Sequence, residues 1–240
     1  MRKIYLLVLV FFGLGVSFPN LYALPIGGSS SGVFVNPSGP GGMLVSGVGT
    51  SSFAWGNGAP FGSAPSSLNF FGNTFSTETD LAFSFGTLSY FNGTISAGSQ
   101  ADSVDLDVQL ALTTPSGINQ SFIYNLGLIN TANTGDPNAS ADIVQFQTIF
   151  PSSSFTSGGV NYTLEFLGVG TILPSGSGFS TINQFHVFEG ARANADLLGR
   201  ITADFPDNPN PAPIPEPGTL ILLGTGLAGL FLYRKKIGRP

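Results

Sequence analysis

Apolar and polar positions alternate with a period of two along most of the central chain. The clearest run begins at Asp102: Val104, Leu106, Val108, Leu110 and Leu112 fall on one side, and Asp105, Asp107, Gln109 and Ala111 on the other. That alternation predicts a strand with one buried and one wet face. The same pattern predicts strands over 119–129 (Phe122, Tyr124, Leu126, Leu128), 142–150 (Val144, Phe146, Phe150) and 160–167 (Val160, Tyr162, Leu164, Phe166). Shorter strands are expected at 43–48, 67–71, 81–90 and 182–189, and a short helical piece at 191–198. Turn chemistry separates them: Asn92-Gly93 reads as a hairpin dipeptide, and Pro115-Ser116-Gly117 and Asp136-Pro137-Asn138 as loops. Many short strands with regular turns predict an all-β domain over 43–205, a β-sandwich or jelly roll. Residues 24–42 are rich in Gly, Ser and Pro and read as a flexible lead-in, with 32–35 a possible edge strand.

Composition agrees with sheet. Phenylalanine is the main aromatic, with 22 copies, while lysine and glutamate, which suit exposed helix faces, are scarce.

Both ends break the alternation. Residues 218–233 form an uncharged apolar run of sixteen residues, followed at once by Arg234, Lys235 and Lys236. As a helix the run covers roughly 24 Å, short of a hydrocarbon core of about 30 Å, and snorkelling basic side chains extend it. With no polar face and a basic flank, it reads as a single transmembrane helix, with 234–240 as a basic cytoplasmic tail. At the other end, Arg2 and Lys3 precede an apolar stretch over 6–16. Residues 1–23 therefore read as a secretory signal peptide cut after Ala23. Residues 206–217, with Pro209, Pro211, Pro213 and Pro215, read as an extended polyproline stalk.

Charge follows the same division. Six of the eight basic residues flank the two apolar ends, whereas 24–217 holds Arg192 and Arg200 against thirteen acids, a net of −11. Such a body repels nucleic acid and anionic lipid surfaces, whose phosphates are bound through clustered Lys and Arg. It can attract cations. The absence of cysteine removes thiol catalysis and Cys-based zinc sites.

The tail carries a resemblance. Pro215-Glu216-Pro217, the apolar run and Arg234-Lys235-Lys236 together resemble the PEP-CTERM sorting signal. That resemblance implies recognition of Pro215, Glu216 and Pro217 by a membrane-embedded exosortase. Processing would then pass the protein to the surface or exopolysaccharide matrix of a Gram-negative bacterium. The body, through Trp55-Gly56, residues 85–94 and residues 102–106, resembles the choice-of-anchor K domain, a surface domain without an established activity.

The chemistry of the body is sparse. His186 is the one histidine, and neither a second ligand nor a nucleophile motif accompanies it, so it reads as an ordinary strand residue. Ser177, between Gly176 and Gly178, reads as loop. Asp105 and Asp107 have the spacing of a glycosidase pair, as do most exposed acids two apart on a strand. Calcium is the stronger expectation, because hard cations take carboxylate, amide and backbone oxygens. Residues 130–142 are dense in these, and the candidate ligands are Asp102, Asp105, Asp107, Asp136, Asn138 and Asp142. Trp55, Phe61 and Tyr90 could stack on sugars or fill the core. These readings predict a non-catalytic, membrane-tethered envelope protein with a structural or exopolysaccharide-associated role. A carbohydrate-binding adhesin module is the alternative, and a hydrolase a third.

Overall fold

A computed structural model describes residues 23–147 and 152–205. Residues up to Asp204 form one compact unit. The second unit, 205–240, lies outside the described residues apart from Phe205. So do residues 1–22, and with them the expected signal peptide, stalk, apolar span and basic tail. Among the described residues no helix is long and apolar enough to cross a membrane.

The described residues form fourteen strands: β1 (Pro25–Ser38), β2 (Val45–Ser46), β3 (Ser52–Trp55), β4 (Ser66–Gly72), β5 (Thr74–Glu78), β6 (Ala82–Phe91), β7 (Ser103–Thr114), β8 (Ser116–Ile129), β9 (Asp142–Phe146), β10 (Ser152–Ser157), β11 (Val160–Leu173), β12 (Gly178–Thr181), β13 (Gln184–Val187) and β14 (Arg192–Asp204). One sheet runs β12-β13-β9-β8-β7-β1-β5 and the other β10-β11-β14-β6-β4-β3-β2, antiparallel throughout. A single 3-10 turn, Ala59–Phe61, joins β3 to β4.

The alternation of β7 is realised as expected, with Val104, Leu106, Val108, Leu110 and Leu112 all buried. Side chains from both sheets meet in one core. A chain of rings runs from Phe34 on β1 through Phe53 and Trp55 on β3 to Tyr90 on β6 and Phe185 on β13, with centroids 5.6–6.1 Å apart. Ring pairs of this kind contribute about 0.5–1.5 kcal/mol beyond their buried area. A second group joins Phe85, Tyr124, Phe146 and Phe166 across the same interface.

Three expectations need correction. Residues 24–42 are not a loose lead-in, and 32–35 is not an edge. The stretch from Pro25 to Ser38 is a fourteen-residue strand hydrogen-bonded to β5 on one side and β7 on the other. Its glycines are places of close approach: a Cβ on Gly28 would lie 2.5 Å from Ala111 O, and one on Gly32 2.7 Å from the Phe70 ring. Residues 191–198 are not helical but form the start of β14, burying Ala193, Ala195 and Leu197 in alternation. Asn92-Gly93 is not a hairpin turn, since β6 and the following β7 lie in different sheets. Asn92 is instead wholly buried, and a Cβ at position 93 would meet Ala64 O at 2.3 Å.

Candidate functional site

At one end of the unit, three connections converge: β6 to β7, β8 to β9, and β13 to β14. They enclose a cleft of about 340 Å³ lined by Ile95, Gln100, Asn130, Thr131, Asp142 and Glu189 among others. Asp142 opens β9, where it pairs with Val187 of β13. This register carries the acid into the same region as the Glu189 turn.

Asp142 is 4% exposed. Thr131 donates to its Oδ1 from both N, at 2.6 Å, and Oγ1, at 3.1 Å. Tyr90 shares a side-chain hydrogen bond with the same carboxyl. Burial raises the Asp142 pKa to about 6; the Thr131 bonds oppose this, and the charge of Glu189 adds to it. Burial, then the charges of Asp142 and Glu189, push the Tyr90 hydroxyl well above its ordinary range. Glu189 accepts a short hydrogen bond from Thr94 Oγ1 through Oε1.

Asn92 is the inner post of the site. Its Nδ2 donates to Val187 O at 2.9 Å. Its main chain accepts from Gly190 N and donates to Ala191 O. The side chain is therefore held between the ladder partner of Asp142 and the turn carrying Glu189. Its Oδ1, and that of Asn130 on the cleft wall, are buried without a hydrogen-bond partner.

The six carboxylate and amide residues expected to hold calcium do not converge. Asp105 and Asp107 lie on the outer face of β7: Asp105 accepts from Asn36 and Asn125, at 3.1 and 2.7 Å, and Asp107 from Ser121 at 2.7 Å. Asp136 caps its own loop by accepting from Asn138 N at 2.9 Å. Asp102 is exposed before β7, where its backbone bonds to Ser38 and Leu128. Asp142 alone of the six reaches the cleft. Among the described residues no three His, Asp or Glu side chains cluster closely enough to hold a metal by themselves. Sequence reasoning missed Glu189 and Asn92; the oxygen-rich run ending in Asp142 was the one local signal of this end.

The remaining candidates fall elsewhere. His186 is on the outer face of the first sheet, its Nε2 donating to Gln184 Oε1 at 2.9 Å and its ring stacked on Phe179 at 4.1 Å. Partial burial lowers its pKa. Ser177 shapes the turn before β12, with its N bonded to Pro174 O. Trp55 and Tyr90 are buried, so neither offers a surface for a sugar, whereas Phe61 is exposed.

Comparison with known proteins bears on the tail. A family described as the PEP-CTERM protein-sorting motif matches residues 213–236, which include Pro215, Glu216, Pro217, Arg234, Lys235 and Lys236. The chain carries an exosortase sorting signal. That signal indicates an exported precursor, anchored in the membrane and processed by exosortase. The match does not extend into the body, so it adds nothing to the likeness with the choice-of-anchor K domain. No curated protein matches the chain.

Proposed function

We propose that the all-β unit is delivered by its sorting signal to the cell surface or exopolysaccharide matrix of a Gram-negative bacterium, where it has a non-catalytic structural role. The observation that carries this reading is the motif at 213–236, placed just after a compact all-β unit that ends at Asp204. A body resembling the choice-of-anchor K domain fits such a passenger. The excess of acids keeps it from nucleic acid and anionic lipid.

The test is fractionation of cells expressing the full chain or a form lacking residues 215–240. The full chain is expected in the membrane fraction until exosortase is supplied, and the truncated form as soluble protein outside the cell. Retention of the truncated form in the membrane would refute the tether.

A carbohydrate-binding module is a second reading, supported by the outer face of the first sheet. Gln184 and Gln145 present amides there near the Phe179–His186 stack, and Asn125, Gln109 and Asn119 continue the polar face farther along β8 and β7. Sedimentation with purified exopolysaccharide separates the two readings: co-sedimentation favours the binding module, and its absence favours a purely structural passenger.

A further inference from the structure

We propose that the end cleft is a binding site for a hard divalent cation, calcium, held by the carboxylates of Asp142 and Glu189 together with the orphaned amide oxygen of Asn130, all three of which line it. Each part of the donor set has an independent reason to want such an ion.

The two acids line the same cleft, the charge of Glu189 bears on Asp142, and among the described residues no basic side chain lines it. Between residues 24 and 217 the arginines are Arg192 and Arg200, and there is no lysine. Arg200 pairs with Glu165 at 2.8 Å, and Arg192 lies over the Phe91 ring at 5.2 Å. Among the described residues no basic side chain thus supplies a counter-ion to a carboxylate that is 4% exposed. Buried charge without a partner is unfavourable, and in folded proteins such groups are paired or coordinate metals.

The amides point the same way. Asn92 is 0% exposed, yet its Oδ1 has no donor. Its Nδ2 is committed to Val187 O and its main chain to Gly190 and Ala191, which braces the strand that pairs with Asp142 and the turn that carries Glu189. Asn130 Oδ1 is likewise buried and unpartnered in the cleft wall, beside the Thr131 that holds Asp142. Buried acceptors are nearly always satisfied, so an unpartnered amide oxygen in the wall beside the acid pair is a ready ligand for a cation.

Two carboxylates and an amide carbonyl make an all-oxygen set, which suits calcium rather than zinc or copper. Thr94 occupies Oε1 of Glu189 and leaves its Oε2 to offer, and the Asp142 carboxylate keeps lone pairs beyond the bonds from Thr131 and Tyr90. The open side of the cleft admits the waters that complete six to eight ligands.

The full-length chain in detergent tests this with terbium as a calcium stand-in. Tyr90 hydrogen-bonds Asp142 and stacks on Trp55 at 5.6 Å, so excitation of these rings should sensitise the emission of a bound ion. Sensitised emission that calcium displaces is expected in the wild type and at least tenfold weaker in Glu189→Gln. In parallel, calcium at a hundredfold excess over Kd should raise Tm by roughly 5–10 °C relative to chelator. Glu189→Gln should lose that rise while keeping a cooperative transition in chelator, which separates lost binding from lost folding. Wild type without the calcium-dependent rise, or Glu189→Gln retaining it, would overturn the site. Neither arm depends on sorting, so failure here leaves the tether test untouched.

Discussion

Phe70 of β4 sits between two glycines on different sheets, and that arrangement predicts a specific non-additivity. A Cβ on Gly86 of β6 would lie 2.4 Å from two atoms of the Phe70 ring, where ordinary contact is 3.4–4 Å. Alanine at position 86 must therefore drive the ring about 1 Å into a packed core. Overpacking of this kind costs about 1–3 kcal/mol. Removing the ring with Phe70→Ala costs about 3–5 kcal/mol, because the residue is only 3% exposed and leaves a cavity. In the double variant the added methyl enters that cavity. The clash with the ring disappears, leaving only a 3.1 Å approach to Phe71 O, and burial of one methyl returns about 0.8 kcal/mol. The double variant is thus expected to be no less stable than Phe70→Ala alone, with a coupling of about 2–4 kcal/mol. Urea unfolding of the four proteins, followed by tryptophan fluorescence from the buried Trp55, measures it. Costs that add within about 0.5 kcal/mol would show that the ring does not depend on the absence of a side chain at position 86.

Three further outcomes follow from the site and its surroundings. In chelator, the Asp142 carboxyl with its pKa raised from 3.8 to about 6 stabilises the fold when protonated. That stabilisation is fully present below pH 3.8 and is lost as pH rises through about 6. The loss attributable to Asp142 is about 3 kcal/mol, and it should be absent in Asp142→Asn when unfolding is followed across that range. Asn92→Ala leaves Val187 O without its donor and should cost about 1–3 kcal/mol by urea unfolding, whereas loss below about 0.5 kcal/mol would deny Asn92 its bracing role. Glu165→Gln, at a pair whose side chains are 41% and 38% exposed, should cost under about 1 kcal/mol, and a larger loss would mean that the bridge holds β11 to β14.

What the sequence displays depends on how far apart the interacting residues lie. Strands β7, β8 and β11 are legible because large side chains mark every second position, as with Phe122, Tyr124, Leu126 and Leu128. Strand β1 has the same alternation written in small residues. Ile26, Gly28, Gly32 and Phe34 face inward, and the glycines are inward because Ala111 O and the Phe70 ring fill the space a side chain would take. A hydropathy pattern cannot register a position whose partner supplies the bulk. Alanine masks β14 in the same manner, since Ala193 and Ala195 suit a helix locally and are buried as strand residues by contacts from elsewhere. The sorting signal was fully legible because it is linear. The cleft was not, because Asp142 and Glu189 meet only through the pairing of β9 with β13.

The same pairing shows why the buried acid is informative. A purely structural residue at position 142 could accept the two Thr131 bonds as asparagine, without the charge that burial and Glu189 make unfavourable at neutral pH. Thr131 offers the carboxylate two hydrogen bonds and, among the described residues, the cleft offers it no cationic side chain, so a cation arriving from solvent would restore the balance. Sites built from few charges and partly open to water bind calcium at about 10⁻⁴–10⁻³ M, the affinity of extracellular modules. An ion bound that weakly adds stability only where calcium is abundant, by RT ln(1 + [L]/Kd). A tail that marks an exported precursor and a cleft that fills where calcium is abundant would therefore act in sequence on one chain: the body would reach its full stability only after export.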